Sequence, residues 1–91
     1  MVVTLASDVV LQQIGDEAVL LKLDDESVFS LNGTAAQVAA LIEQGLSVPA
    51  IVRELSALYP TEADVVAADV HELIRTLVVR GLVLVANGEV A

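Results

Sequence analysis

Cysteine is absent from this chain, histidine occurs once, and lysine and arginine together only four times. Without cysteine there can be no disulfide, no thiolate metal ligand and no cysteine nucleophile. A single histidine, His71, likewise excludes a multi-histidine metal site. Thirteen acidic residues against four basic ones leave a net charge of -9. Nucleic-acid affinity comes largely from Lys and Arg neutralising phosphates, so a surface of this sign repels a phosphate backbone, disfavours an anionic membrane and suits a basic partner. Aromatics are 2% of the chain, Phe29 and Tyr59, against 56% hydrophobic residues. The core must therefore be aliphatic, and Phe29 is expected to do something its Val and Leu neighbours cannot. No glycine-rich phosphate loop is present. Apolar runs such as "LVLVA", Leu82 to Ala86, fall far short of the roughly 20 residues of a membrane span. "MVVTLASDVV" lacks the charged start and long apolar centre of a signal peptide, which sets a cytoplasmic expectation.

What is present fits one domain over residues 1–91. Three runs rich in β-branched and large aliphatic residues come first, separated by turn-formers: Val9 to Ile14, Glu17 to Leu23 and Ser27 to Leu31. In the second, Val19, Leu21 and Leu23 alternate with Ala18, Leu20 and Lys22; in the third, Phe29 and Leu31 alternate with Val28 and Ser30. This period of two, broken at Gly15-Asp16 and Asp24-Asp25-Glu26, predicts an antiparallel three-stranded meander.

From Asn32 the period becomes 3.6. Asn32, or Gly33-Thr34, is a natural cap for a helix carrying Ala36, Val38, Ala39, Leu41 and Ile42 and ending at Gly45. A second helix opens at Ser47, tolerates Pro49 in its first turn, presents Ile51, Val52, Leu55 and Leu58, and stops at Tyr59-Pro60. Thr61 and Asp64 form a short-armed capping box for the longest helix, Glu62 to Arg80, whose apolar face is Val66, Val70, Leu73, Ile74 and Leu77. Gly81 is its expected C-terminal cap, with Arg80 placed where a cation suits the helix dipole. "LVLV" beyond it suggests a last short strand, and "ANGEVA" a frayed tail. The fold class is α+β, resembling a winged helix-turn-helix, with a three-stranded antiparallel sheet followed by three helices.

Little in this pattern can carry chemistry. His71 has Asp69, Glu72 and Arg75 nearby on its helix but no Ser or Cys partner, and reads as a surface or boundary residue. Asp24, Asp25 and Glu26 resemble a cation site by composition, although three adjacent acids in a hairpin turn read more simply as a solvated loop. Asp69 lies at the border of the long helix's apolar face, as a solvated acid, as a partner of Arg53 or Arg75, or as an acceptor for a ligand's amide or basic side chain.

The third strand is more informative. As the terminal strand of a meander it can leave one row of amides and carbonyls unpaired, and the immediate turn at Asn32 can set it beside the long helix with a groove between. An added peptide strand would fill such an edge, main-chain bonds giving affinity and groove pockets selectivity.

"SVFSLNGTAAQVAALIEQGLSVPAIVRELSALYP" followed by "VVAADVHELIRTLVVRGLV" resembles the PqqD-like family, the recognition elements of ribosomally made, modified peptides. The resemblance is carried by Phe29, Leu31 and Asn32, by Thr34-Ala35-Ala36, by Ile51, Glu54, Leu55 and Tyr59, by Asp69-Val70 and by Arg80-Gly81-Leu82, and it spans Val9 to Val83. It implies a non-catalytic domain without cofactor or metal. Such a domain binds the leader of a precursor peptide as a strand on the third strand, at Ser27, Val28, Phe29 and Ser30. The helix side of the site would be Val66, Asp69, Val70, Leu73 and Thr76. The acidic surface would favour a leader with Lys or Arg.

The free-standing form and the "AADV...L...L..RGLV" ending are most similar to the leader-recognition protein of lasso-peptide biosynthesis, which implies a separate leader peptidase and a cyclase as further partners. Glu43-Gln44-Gly45 stands where pyrroloquinoline quinone synthesis proteins often carry an Asp-Gly-Arg-like turn. The alternative is a chaperone presenting its precursor to a radical enzyme. A winged-helix DNA-binding regulator shares the architecture but would need a basic recognition helix, whereas Glu62, Asp64, Asp69 and Glu72 outnumber Arg75 and Arg80 here. A monomer or weak dimer, without nucleic-acid or membrane partners, is expected.

Overall fold

The computed structural model describes residues 2–86. Its elements are β1 (Val2–Leu5), β2 (Val9–Ile14), β3 (Glu17–Lys22), β4 (Ser27–Leu31), α1 (Gly33–Glu43), α2 (Val48–Leu58), a 3-10 turn at Pro60–Glu62, α3 (Ala63–Val79) and β5 (Val83–Ala86). The frayed tail expected from Ala86 lies, beyond that residue, outside the described residues.

Strands β2, β3 and β4 form the expected antiparallel meander, with Leu20 opposite both Leu11 and Phe29. Period-two alternation sets its two faces. Ala18 and Leu20 are buried, while Val19 and Leu21 are half-exposed and Leu23, just past the strand, is exposed. A second sheet pairs β1 with β5 antiparallel, Val3 opposite Val85. The closing strand was expected and β1 was not. At four residues β1 is too short to show a period, and its partner stands at the far end of the chain, so no local hairpin signal marks it.

Helix α2 packs along α3, and α1 packs against β1, β2 and β3. The core is aliphatic, centred on Val3, Leu20, Val38, Ile42, Ile51, Leu55, Val70, Leu77 and Val83, and among the described residues no polar side chain is buried. Leu58, expected in the apolar stripe of α2, is instead 60% exposed, because the helix ends there and its last turn overhangs the core.

Helix ends show where local rules held. Ser47, where the second helix was expected to open, is its N-cap: its Oγ accepts from the Ala50 amide at 3.3 Å. Asn32 is the N-cap of α1, but through its backbone: its carbonyl accepts from Ala35 and Ala36, and its side chain makes no cap bond. The capping box expected at Thr61 and Asp64 is not formed. Pro60–Glu62 winds into the 3-10 turn, so Thr61 lies inside that turn and Glu62 takes the cap position without a side-chain bond.

The C-termini of α1 and α3 share one device. Gly45 (φ 92) and Gly81 (φ 74) take the left-handed conformation. The following amides of Leu46 and Leu82 then reach back to the Leu41 and Leu77 carbonyls, the double-bonded cap in which glycine avoids a Cβ penalty.

Candidate functional site

Strand β4 pairs with β3 along one edge, and among the described residues no strand pairs with its other edge. That edge faces α3 across a trough made of three contiguous concavities. The middle one, about 290 Å³, is floored by Phe29, Leu31 and Ala35 and walled by Leu73, with Ile14, Glu17 and Val19 at the sheet side. Toward α1 it continues into about 300 Å³ bounded by Thr34, Val38, Asp69 and Val70. Toward the hairpin turn it continues into about 260 Å³ bounded by Asp25, Ser27, Val28, Arg80 and Leu82. From Asp69 to Arg80, α3 rises roughly 16 Å at 1.5 Å per residue, about the length of a five-residue strand at 3.3 Å per residue. The two walls therefore match in length.

Of the residues expected here, Ser27, Val28, Phe29 and Ser30 line the trough, as do Asp69, Val70 and Leu73. Val66 and Val70 are only 6% and 1% exposed, so both serve mainly the core, and Val66 lines none of the three concavities. Thr76 is half-buried and lines none of them either. Asp69 is exposed and forms no ion pair with Arg53 or Arg75. His71 is exposed on α3 outside the trough. No group of three His, Cys, Asp or Glu side chains suited to a metal occurs among the described residues.

Arg80 was read as a dipole partner and as part of the Arg80-Gly81-Leu82 resemblance, not as a site residue, and the structure gives it more. Its guanidinium lies over the Phe29 ring, 5.1 Å from the centroid, a cation–π distance. The signal was present in the spacing, because Asp69, Leu73, Thr76 and Arg80 recur at three- and four-residue steps and so share one stripe of α3.

The hairpin end is fixed by charge. Asp25 Oδ1 accepts from Ser27 Oγ at 2.6 Å and from the Ser27 amide at 3.1 Å. The Ser27 hydroxyl, followed by its amide, holds the Asp25 carboxyl below its ordinary value. The acidic turn is therefore a self-bonded loop, with Glu26 at φ 60. Beside it, Lys22 Nζ donates to Asp8 at 3.0 Å and to the Gly81 carbonyl at 3.4 Å. That pair lowers the Asp8 carboxyl and raises the Lys22 ammonium relative to their usual values. Lys22 thus ties the hairpin to the end of α3, the corner from which Arg80 projects.

The trough offers a row of main-chain donors and acceptors between side walls that carry a charge at both ends and are apolar in the middle apart from Glu17. This arrangement suits an extended peptide. The family model for coenzyme PQQ synthesis protein D (PqqD) matches residues 17–83, from β3 through the first residue of β5. The chain belongs to the PqqD family. Among solved structures, this PqqD-family chain is similar to TbiB1 in complex with the TbiA(beta) leader peptide, at 27% identity and a TM-score of 0.82, covering 97% of this chain and 99% of that one. Its fold is also that of a lasso peptide synthetase B1 complexed with the leader peptide, at 24% identity and a TM-score of 0.82, covering 93% and 100%. No curated protein matches by sequence.

Proposed function

We propose that this chain binds the leader of a precursor peptide in lasso-peptide biosynthesis, as an added strand on the free edge of β4 against α3. The observation that carries this reading is that edge, unpaired among the described residues, which faces a trough of matched length on a fold shared with TbiB1 in its leader complex. Strand addition supplies roughly four main-chain hydrogen bonds, each contributing about 1 kcal/mol net, and the trough's pockets read alternate side chains. Ser27, Val28, Phe29 and Ser30 form the strand side of the site; Asp69 and Leu73 form the helix side. Val70 lines the α1 end of the same side, Val66 packs into the core beneath it, and Thr76 lies on the stripe between Leu73 and Arg80.

The chain contributes binding rather than catalysis. It holds the leader so that a separate leader peptidase and a cyclase act on the attached core peptide. A presenting role toward a radical enzyme is the second reading, favoured by the name of the matched family.

The test is a titration, by fluorescence anisotropy, of a labelled synthetic leader from a candidate lasso-peptide precursor. Micromolar or tighter binding is expected, abolished when the docking segment of the leader carries N-methyl groups on alternate amides. Undiminished binding of the N-methylated leader would show that no strand is added. Co-purification of the loaded chain with peptidase and cyclase, or instead with a radical enzyme, decides between the two pathways.

A further inference from the structure

The walls of the trough are charged unequally. Its carboxylates are Glu17 in the middle, Asp69 at the α1 end and Asp25 at the hairpin end; its one cation among the described residues is Arg80. Of the chain's other basic residues, Lys22 is engaged with Asp8, and Arg53 and Arg75 line none of these concavities.

Arg80 is also held in place. Gly81 ends α3 in a left-handed turn and Leu82, 3% exposed, anchors the chain just beyond it. The guanidinium carbon lies over the Phe29 ring at 5.1 Å from its centroid, a ring fixed by the core-facing register of β4 opposite Leu20. Its attraction to the ring uses none of its N–H donors, and among the described residues Arg80 makes no side-chain hydrogen bond, so the fork that meets a carboxylate in a two-pronged bond is available. Among the described residues Arg80 has no carboxylate within 4.0 Å. Asp25, in the same concavity, has Oδ1 committed to the Ser27 amide and hydroxyl.

We infer that Arg80 is a specificity-determining residue of the trough, selecting an Asp or Glu side chain at the position of the docked strand that lies over Phe29. This rests on the peptide-binding reading above and adds to it a substrate class and a direction. Glu17 and Asp69 stand in concavities with no cation, whereas Arg80 offsets Asp25 at the hairpin end, so a strand with one acid and an apolar side chain for the Leu73 pocket docks in one orientation, acid at the hairpin end.

The experiment selects a displayed library of short random peptides against the wild type, Arg80→Gln and Arg80→Glu. The wild-type pool should share an acid at a fixed spacing from an apolar residue. The Arg80→Glu pool should replace that acid with Lys or Arg, and the Arg80→Gln pool should show no charge preference there. Titrated as a synthetic peptide, a selected sequence should bind wild type about fivefold more tightly than its Glu→Gln or Asp→Asn twin, while Arg80→Gln binds the twins equally. The peptide-side comparison needs no protein variant and stands even if a substitution at Arg80 disturbs the helix end. An aromatic in place of the acid, or the same preference in all three pools, would overturn the assignment to Arg80 and leave peptide binding intact. A wild-type pool with no enrichment would overturn both.

Discussion

Lys22 is the residue with the most tasks for its size. It lies on the core-facing side of β3, opposite Val9 and Ser27, and sends its ammonium to Asp8 and to the carbonyl of Gly81. The pH dependence follows from the directions of its shifts. The ammonium is raised above 10.5, so its contribution is complete below that value and is lost as pH rises through the folded-state value. Asp8 is lowered below 3.8, so its contribution is present above that value and is lost as pH falls through its own folded-state value. Lys22→Met should therefore lower stability most across the neutral plateau, and its deficit relative to wild type should shrink at both extremes. Urea denaturation at a series of pH values checks this; a deficit that does not change with pH would assign Lys22 a packing role alone. Ser27→Ala makes a separate test at the same corner. With the hydroxyl gone, the Asp25 carboxyl should titrate closer to its ordinary value, read from its side-chain NMR signal.

At the scale of elements, β4 and α3 are positioned by their ends. The α3 terminus depends on Gly81, whose added Cβ would meet nothing closer than Lys22 Nζ at 3.8 Å. Gly81→Ala should thus cost about 1 kcal/mol from the left-handed backbone alone, with no cavity or clash, as read by thermal unfolding. The same terminus carries Arg80, so leader affinity should fall in this variant more than its modest instability explains. The ends also mark how far the sequence could be read. The meander, the helices and both glycine caps were legible because period, turn residues and glycines are local signals. The first strand was not, since its pairing to β5 is made across the whole chain. The Thr61–Asp64 box failed because Pro60 draws the chain into a 3-10 turn first, and the Asn32 cap was found in the right place with the wrong atom. In the site, Phe29 was singled out by scarcity; Leu73 was placed on the apolar face of α3 by periodicity and in the site by the resemblance. Val66 and Val70 were named through the resemblance to the PqqD-like family; both are buried, and of the two only Val70 also lines the trough. Arg80 was missed as a wall residue because its partner is on another element.

At the scale of the molecule, an aliphatic core beneath a surface of net charge -9 separates stability from recognition. Truncating a central residue such as Leu20 should cost about 2 to 5 kcal/mol by cavity formation, visible in the urea midpoint, because Leu20 joins the middle of the meander to the helices. The net charge acts instead on encounter. A leader carrying Lys or Arg outside the trough is drawn to an acidic surface over a distance that salt shortens to about 8 Å near physiological ionic strength, so its association rate should fall as salt rises. The Arg80 contact forms only once the strand has docked and water has left the hairpin end, so it belongs to the dissociation rate. Stopped-flow measurement of the labelled leader at low and high salt separates the two contributions. Salt should slow association alike for wild type and Arg80→Gln, whereas the variant should release an acid-bearing leader faster at either salt concentration. If the substitution instead slowed association and left release unchanged, Arg80 would be one more member of the long-range field rather than the reader of a single position.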